Sequence, residues 1–325
     1  MRPAAIRQRA ATAALAAGAV AAGAVLLTGS APAPVDAGDP AQPAAGSPGG
    51  AGTPASGPAR PAARPVPARP IPERPVPSAP PADLNQRLAA ALAPIARRRQ
   101  GSFAVGVYDP ADGRTASYHR RLAFDTASIV KADILAVLLL HCQRDGDGLG
   151  DDQREVATQM IEESDNDSAS DLWESIGGGP GLRAGNAALG VHGVVPGPGG
   201  LWGLTTTTVS SELSLLNVLT SARSPLRPAA RDYELDLMRH VDPGQDWGVS
   251  AAAAAGQRAA VKNGWLPTPP TGLWVINSIG VVRRAGQRLL IAVLSSGQPS
   301  EAAGIGQVED AARAAAAAVT TGRSR

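Results

Sequence analysis

The chain has 325 residues, a length that allows one large domain or two small ones. Hydrophobic residues make up 44% of the sequence and the formal net charge is +2, which fits a globular core without a nucleic-acid-binding surface. With four His and one Cys, the sequence argues against a His/Cys metal site and excludes a disulfide within the chain, so we expect no cofactor.

Residues 1–30 have the composition of an export signal. Three Arg stand among the first nine residues, and an uncharged run of small apolar residues follows at 11–27. This run is short for a bilayer-spanning helix, so the sequence leaves open whether the segment is cleaved or stays as a membrane anchor. Either outcome predicts an extracytoplasmic protein, secreted or associated with the cell envelope.

Residues 31–82 are rich in Pro, Ala and Gly. Such a composition cannot bury enough apolar surface to fold, and its Pro-rich part favours an extended backbone. We therefore predict a disordered linker that ends where the folded domain, residues 83–325, begins.

The domain begins with a helical pattern, and "SFAVGVYD" and "TASYHR" then predict a hairpin. The segment "SIVKADILAVLLLHCQ" is apolar on nearly every face, which is typical of a buried helix. More helical segments extend to about residue 240, and three strand candidates and a closing helix follow. This order predicts an α+β fold, with an antiparallel sheet flanked by helices and an all-helical subdomain.

The two lysines of the chain stand out because its other 28 basic residues are all Arg. Lys131 comes three residues after Ser128, at the start of the buried helix, and Lys262 opens a predicted strand. A guanidinium stays charged, whereas a desolvated ammonium can lose its proton and act as a base. The two lysines are therefore candidates for proton transfer, although chance placement is the simpler alternative.

Three short motifs contain these lysines: "SIVK" at 128–131, "SDN" at 164–166 and "KNG" at 262–264. They resemble the S-x-x-K, S-D-N and K-T-G motifs of class A β-lactamases and penicillin-binding proteins, in the same order. The resemblance extends from about residue 83 to the end of the chain. It implies the β-lactamase/transpeptidase-like fold, with the S-x-x-K helix in the helical subdomain.

The resemblance also implies catalytic roles. Ser128 would attack an amide or lactam carbonyl, with Lys131 as its general base, because a Ser hydroxyl needs an adjacent base. Ser164 would relay a proton to the leaving nitrogen, assisted electrostatically by Lys262.

The same resemblance implies a substrate-binding set. Asn166 would hydrogen-bond the amide side chain of the substrate, and Asn263, Gly264 and Trp265 would bind it along the predicted strand. The oxyanion would lie between the backbone N–H groups of Ser128 and Trp265. The family has Thr or Ser where Asn263 stands. An Asn amide can also donate to a carboxylate, with different bulk and geometry, so the substrate preference stays open.

A second departure concerns the Ω-loop, where class A enzymes carry a Glu that activates the deacylating water. The corresponding residues 190–204 read "GVHGVVPGPGGLWGL" and contain no acidic residue. Glu174 and Glu212 fall on the neighbouring predicted helices. His192 is the only titratable side chain of the loop, and it is either a surface or packing residue or a substitute base.

These observations predict a secreted active-site serine hydrolase, acylated at Ser128 by β-lactams or by D-Ala-type amides and esters, with slow deacylation. The expected partner is a β-lactam or a peptidoglycan-derived small molecule, and we expect a monomer. The alternative is a non-catalytic or peptidoglycan-binding envelope module that uses the same cleft.

Overall fold

The computed structural model describes residues 82–98, 101–269 and 271–320. The predicted signal segment and all but the last residue of the predicted linker lie outside this part. The first helix begins at Ala82, next to the expected start of the domain. Within the described residues, no helix is both long and apolar enough to cross a membrane.

Seven strands form two sheets. Five of them make an antiparallel sheet in the order β2-β1-β7-β6-β5, and β3 pairs with β4 in a separate two-stranded sheet. The strands are β1 (Ser102–Asp109), β2 (Arg114–Tyr118), β3 (Phe124–Asp125), β4 (Thr206–Thr207), β5 (Ala260–Thr268), β6 (Leu273–Arg284) and β7 (Gln287–Ser296).

Eight α-helices accompany the sheets in the described residues. They are α1 (Ala82–Arg98), α2 (Val130–Asp145), α3 (Asp151–Thr158), α4 (Asn166–Ser175), α5 (Gly178–Leu189), α6 (Val209–Thr220), α7 (Pro228–Arg239) and α8 (Glu301–Thr320). The α+β fold predicted from the sequence is therefore confirmed. The short β3–β4 pair was not predicted.

Both faces of the large sheet are covered, which explains why its central strand is apolar without alternation. All residues of β7 from Leu289 to Ser295 are buried. Ile291 and Val293 pack in one core with α1 and α8, while Leu290 and Leu294 pack in a second core with the helical subdomain. A strand buried on both faces reads as a continuous hydrophobic run, so β7 is a core element of both halves.

Helix α2 is the centre of the helical subdomain, which consists of helices α2 to α7. Its residues from Val130 to Leu140 are all buried, as predicted from a sequence that is apolar on nearly every face. The helix ends at Gly146, whose φ of +86° gives the left-handed C-cap that a glycine adopts without a steric penalty. The buried position of α2 is what brings its first turn, with Lys131, against the edge of the sheet.

Three carboxyl groups are buried in the helical subdomain: Asp133 on α2, Glu212 on α6 and Glu234 on α7. Burial raises the pKa of Asp133 to about 7, although the hydrogen bond from Asn186 acts in the opposite direction. Burial raises the pKa of Glu212 to about 8, opposed by its hydrogen bond with Thr207 and reinforced by Asp133. Burial and Asp133 also raise the pKa of Glu234 well above its ordinary value.

We expect the stability contributed by these buried carboxyl groups to fall as the pH rises from weakly acidic to weakly basic. The folded chain keeps protons on Asp133 and Glu212 that the unfolded chain releases above about pH 4. The associated stability is complete below that pH and is lost as the pH rises through about 7 and about 8. The Tm of the wild type, measured relative to that of a variant with a neutral residue at position 133, should be lower by more than about 5 °C on the basic side.

The neutral variant Asp133→Asn should flatten this dependence, because an amide accepts the same hydrogen bond from Asn186 without ionising. The control is Asp171→Asn on α4, which removes an exposed carboxylate. A pH dependence that is unchanged in Asp133→Asn, or flattened equally in the control, would contradict this assignment.

Candidate active site

Ser128 lies in a single 3₁₀ turn, Ala127–Ile129, that leads directly into α2. Its side chain is partly exposed, whereas those of Ala127 and Ile129 are buried. Ala127 has a φ of +47°, which is uncommon for a residue with a Cβ. Such a conformation persists only when the surroundings hold it, so the turn carrying Ser128 must be fixed by its neighbours.

Two residues of the large sheet hold this turn. Gly264 on β5 approaches it so closely that an added Cβ would lie 2.7 Å from both the Ser128 backbone nitrogen and the Thr126 carbonyl oxygen. Its cross-strand partner Asn277, on β6, donates from Nδ2 to the carbonyl oxygens of Asp125 at 2.8 Å and Thr126 at 3.0 Å. Gly264 is therefore a packing requirement, and Asn277 ties the turn to the sheet.

Ser164 lies between α3 and α4, directly after the π-helical turn Gln159–Glu163. Its φ of +59° places it in the left-handed region, which costs free energy for a residue other than glycine. In this conformation its carbonyl oxygen and its hydroxyl both lie within hydrogen-bonding distance of one amine, that of Lys131. The next residue, Asp165, accepts a hydrogen bond from the Ser168 N–H and caps α4, so its role is structural.

Lys131 is fully buried, and its ammonium group contacts the S-D-N segment. Its Nζ donates to the Ser164 carbonyl oxygen at 2.5 Å, to Ser164 Oγ at 3.2 Å and to Asn166 Oδ1 at 2.8 Å. The Trp202 ring lies on another side, with its centroid 5.0 Å from Nζ. Three oxygen acceptors and one aromatic face thus replace water around this amine.

Lys262 reaches the same serine from the sheet. It is also fully buried, and its Nζ donates to Ser164 Oγ at 2.9 Å. One hydroxyl therefore lies between two buried amines that are far apart in the sequence. The resemblance implied a role for Lys262 beside Ser164, and it placed Lys131 beside Ser128 as its general base.

Burial lowers the pKa values of both amines. It lowers the pKa of Lys131 to about 7, while the nearby negative charge of Asp165 acts in the opposite direction. It lowers the pKa of Lys262 well below its ordinary value, and the positive charge of Lys131 adds to this effect. The pair consequently releases a proton more readily than exposed lysines do.

Ser128 shares a groove with this cluster but does not hydrogen-bond to it. The groove has a volume of about 190 Å³, and Ser128 Oγ forms no hydrogen bond within the described part of the chain. All three hydrogen bonds of Lys131 go to the S-D-N segment instead. Hydrogen bonds of catalytic groups are often long or poorly aligned before a substrate binds, so this geometry is compatible with a general base at Lys131.

Asn263 is directed away from the groove, contrary to the expectation from the sequence. Its side chain is buried, and its Nδ2 donates to the Gln245 carbonyl oxygen at 2.7 Å and to that of Trp247 at 3.0 Å. Because successive side chains of a strand point to opposite faces, Asn263 faces away from Lys262 and Gly264. Both amide hydrogens are thus occupied and do not reach a substrate carboxylate.

The walls of the groove combine polar side chains with two tryptophan rings. No carboxyl group lines it among the described residues, and His192 of the Ω-loop segment is exposed and outside it. Trp265, Asn166 and Ser164, all predicted from the sequence, are part of its lining. The full lining consists of Ala127, Ser128, Ser164, Asn166, Trp202, Gly203, Trp265 and Leu266.

Sequence reasoning missed two contributors to this site, Trp202 and Asn277. Asn277 could have been found from the sequence, because it is a polar residue inside the mostly apolar strand "LWVINSIGVV". Trp202 gave a weaker sequence signal, as an isolated aromatic residue in a Gly/Pro-rich loop. In the described residues no group of three or more His, Cys, Asp or Glu side chains is arranged to hold a metal ion.

Comparison by sequence finds no matching family model and no matching curated protein. Comparison of structures finds class A β-lactamases instead. A class A β-lactamase from Bacteroides cellulosilyticus superposes with a TM-score of 0.65 at 17% identity, covering 74% of this chain and 99% of that one.

Two other solved structures agree with this result. A variant of the last common ancestor of the class A β-lactamases of Gram-negative bacteria has a TM-score of 0.62 at 24% identity, covering 73% of this chain and 99% of its own. A β-lactamase from Burkholderia vietnamiensis has a TM-score of 0.62 at 22% identity, covering 72% and 97%. The described domain therefore has the fold of the class A β-lactamases, the fold of the serine β-lactamase-like superfamily.

Proposed function

We propose that the protein is an extracytoplasmic active-site serine hydrolase, acylated at Ser128 by β-lactams or by D-Ala-type amides and esters, with slow deacylation. The observation that carries this proposal is the position of Ser164 Oγ between the buried amines of Lys131 and Lys262, at 3.2 and 2.9 Å. Burying two amines is unfavourable unless they are hydrogen-bonded, and this arrangement suits proton transfer better than packing.

Acylation follows from these contacts. Ser128 Oγ attacks the carbonyl carbon as the unprotonated Lys131 amine accepts the hydroxyl proton. As the C–N bond of the tetrahedral intermediate breaks, the leaving nitrogen takes a proton from Ser164 Oγ, which is replenished by the adjacent amines. The intermediate oxyanion binds the backbone N–H groups of Ser128 and Trp265. Because β5 is an edge strand, part of its backbone is free of sheet pairing.

Substrate binding uses the groove beside Ser128. Asn166 is exposed, and its Oδ1 accepts from Lys131, which leaves its amide N–H groups for the amide carbonyl of a substrate. The aromatic rings of Trp202 and Trp265 favour an apolar or aromatic acyl side chain. Support for an extracytoplasmic location comes from the composition of residues 1–30.

Slow deacylation follows from what surrounds the acylated serine. Hydrolysis of the ester needs a base aimed at a water molecule, and no carboxyl group lines the groove in the described residues. The Trp202 ring lies against Lys131 Nζ on the side of the loop that would have to supply this base. Loss of one positioned general base costs about 10²–10⁴ in rate, enough to make deacylation limiting.

A chromogenic cephalosporin should give a burst of close to one equivalent followed by a slow steady state. Intact-mass spectrometry should detect the covalent adduct, and Ser128→Ala should abolish both the burst and the adduct. Fast turnover without a burst would contradict slow deacylation, and His192 would then be the first residue to substitute. The absence of both burst and adduct in the wild type would favour the non-catalytic binding module.

The acylation rate should rise with pH with a midpoint of about 7, because Lys131 must lose its proton to act as a base. The Asp165 carboxylate raises the pKa of Lys131, so Asp165→Asn should move the midpoint to lower pH. Asn remains a good N-cap, so α4 should be preserved. Stopped-flow acylation rates across the neutral range measure the midpoint.

The matched control is Asp167→Asn, which removes an exposed carboxylate from the first turn of the same helix. An equal displacement of the midpoint in both variants, or a rate independent of pH, would rule out Lys131 as the titrating base.

A carboxylate added to the loop should accelerate deacylation, the step for which the groove has no general base. Gly203 lines the groove, and an added Cβ would meet no atom within 4 Å. We expect Gly203→Glu to raise steady-state turnover about tenfold or more, while the isosteric Gly203→Gln does not, because only the carboxylate can accept a proton from water. An equal increase in both variants would show that space, and not a base, limits deacylation.

A further inference from the structure

A second cavity, of about 120 Å³, lies between α7 and one end of the large sheet. Its lining is strongly basic, with five arginines and a single acidic residue, Asp232. None of its lining residues belongs to the groove that contains Ser128. The arginines are Arg231 and Arg239 on α7, Arg258 before β5, Arg283 on β6 and Arg288 on β7.

Two of these arginines are paired unfavourably. Arg283 and Arg288 lie directly opposite each other in the antiparallel β6–β7 ladder. Directly opposed like charges destabilise a sheet, because their Cβ atoms are only about 5 Å apart. Within the described residues neither arginine forms an ion pair, and neither does Arg258. These three arginines are exposed, and their positive charges on one cavity have no ion-pair partner in the described residues.

On the helix side of the cavity, one hydrogen-bond donor of Arg231 lacks an acceptor in the described residues. Arg231 is partly buried, and it donates from Nη1 to the Ser221 carbonyl oxygen. Its Nε is buried and has no acceptor in the part of the chain that the structure describes. Arg239 lies 3.9 Å from Asp236, a long separation between two exposed side chains. A buried donor without an acceptor is costly, which distinguishes Arg231 from the four exposed arginines of the cavity.

We propose that this cavity is a binding site for a phosphoryl group. Guanidinium groups match the geometry of phosphate oxygens and donate to them in pairs, and a phosphoryl group carries more charge than a carboxylate does. It supplies the counter-charge that Arg258, Arg283 and Arg288 lack, and an acceptor for Arg231 Nε. The cavity has several times the volume that one water molecule requires, which is enough for such a group.

The proposed phosphoryl site shares no lining residue with the groove of Ser128. Strand β5 contributes residues to both sites. Ala260 lines the phosphoryl site and lies on the same face of the strand as Lys262, two residues further along. A free phosphate compound and a phosphodiester polymer offer the same chemistry to the arginines. They differ in the length of the ligand and in its total charge.

Isothermal titration calorimetry of the full chain with inorganic pyrophosphate tests the site, at constant ionic strength set with chloride. We expect one ligand per chain, and a loss of affinity of more than about tenfold in the double variant Arg283→Gln/Arg288→Gln. The matched control is Arg120→Gln/Arg121→Gln, which removes two exposed positive charges outside the cavity. This control should bind like the wild type.

A second titration uses a glycerol phosphate oligomer at the same concentration of phosphate groups. Tighter binding of the oligomer assigns the site to a phosphodiester polymer, and tighter binding of pyrophosphate assigns it to a free phosphate compound. The proposal is overturned if neither ligand binds, or if both double variants lose affinity equally, since attraction would then be a matter of net charge alone.

Thermal unfolding gives a readout that does not depend on calorimetry. Without multivalent anions, Arg288→Gln should be as stable as the wild type or more stable, because it removes the opposed like charges. With pyrophosphate the wild type should be stabilised and the variant should not. Equal stabilisation of both proteins would contradict the proposed site.

Discussion

The burial of two lysine amines around one serine hydroxyl is the constraint on which the rest of this structure depends. An amine taken out of water needs acceptors, and two amines close together also repel each other. Lys131 satisfies these needs with the S-D-N segment, and Lys262 satisfies them through Ser164 Oγ. The lowered pKa values are the direct result, and they turn a costly arrangement into one that can accept and release protons.

The fold builds this cluster of two amines and one hydroxyl from two sides, the helical subdomain and the large sheet. The helical subdomain contributes Lys131 from the buried helix α2 and Ser164 from the left-handed residue before α4. The sheet contributes Lys262 from its edge strand β5, and Gly264 and Asn277 hold the turn of Ser128 against that edge. The cluster therefore exists only where the two cores meet, and the positive φ values at Ala127 and Ser164 show that both segments are held under strain.

The geometry of the groove favours the first half of the proposed reaction, acylation, over the second half, deacylation. A nucleophile, a buried amine and a hydroxyl relay lie around one groove, which favours formation of an acyl-enzyme. The loop that closes this groove offers Trp202 and Gly203 in place of a carboxylate, and Asn263 is used to hold backbone carbonyls rather than a substrate. The described domain has a β-lactamase-like fold, and in the proposed reaction its loop suits retention of an acyl group better than rapid hydrolysis.

Much of this could be derived from the sequence because it depends on local patterns. Apolar periodicity and turn residues gave the order of helices and strands, and a chain with almost no lysine made Lys131 and Lys262 conspicuous. Three motifs in order then indicated which residues would meet. The predicted fold is confirmed because burial and residue chemistry leave their mark on short segments, whereas the roles of the motif residues stay predictions.

Tertiary structure alone decided what those residues contact. The direction of Asn263 depends on which face of β5 packs against residues 243–252, and the position of Trp202 depends on the path of a loop without periodicity. The burial of Asp133, Glu212 and Glu234 and the convergence of five arginines on one cavity join helices and strands far apart in the chain. Such contacts are set by packing between distant elements, and no short segment of the sequence contains both partners.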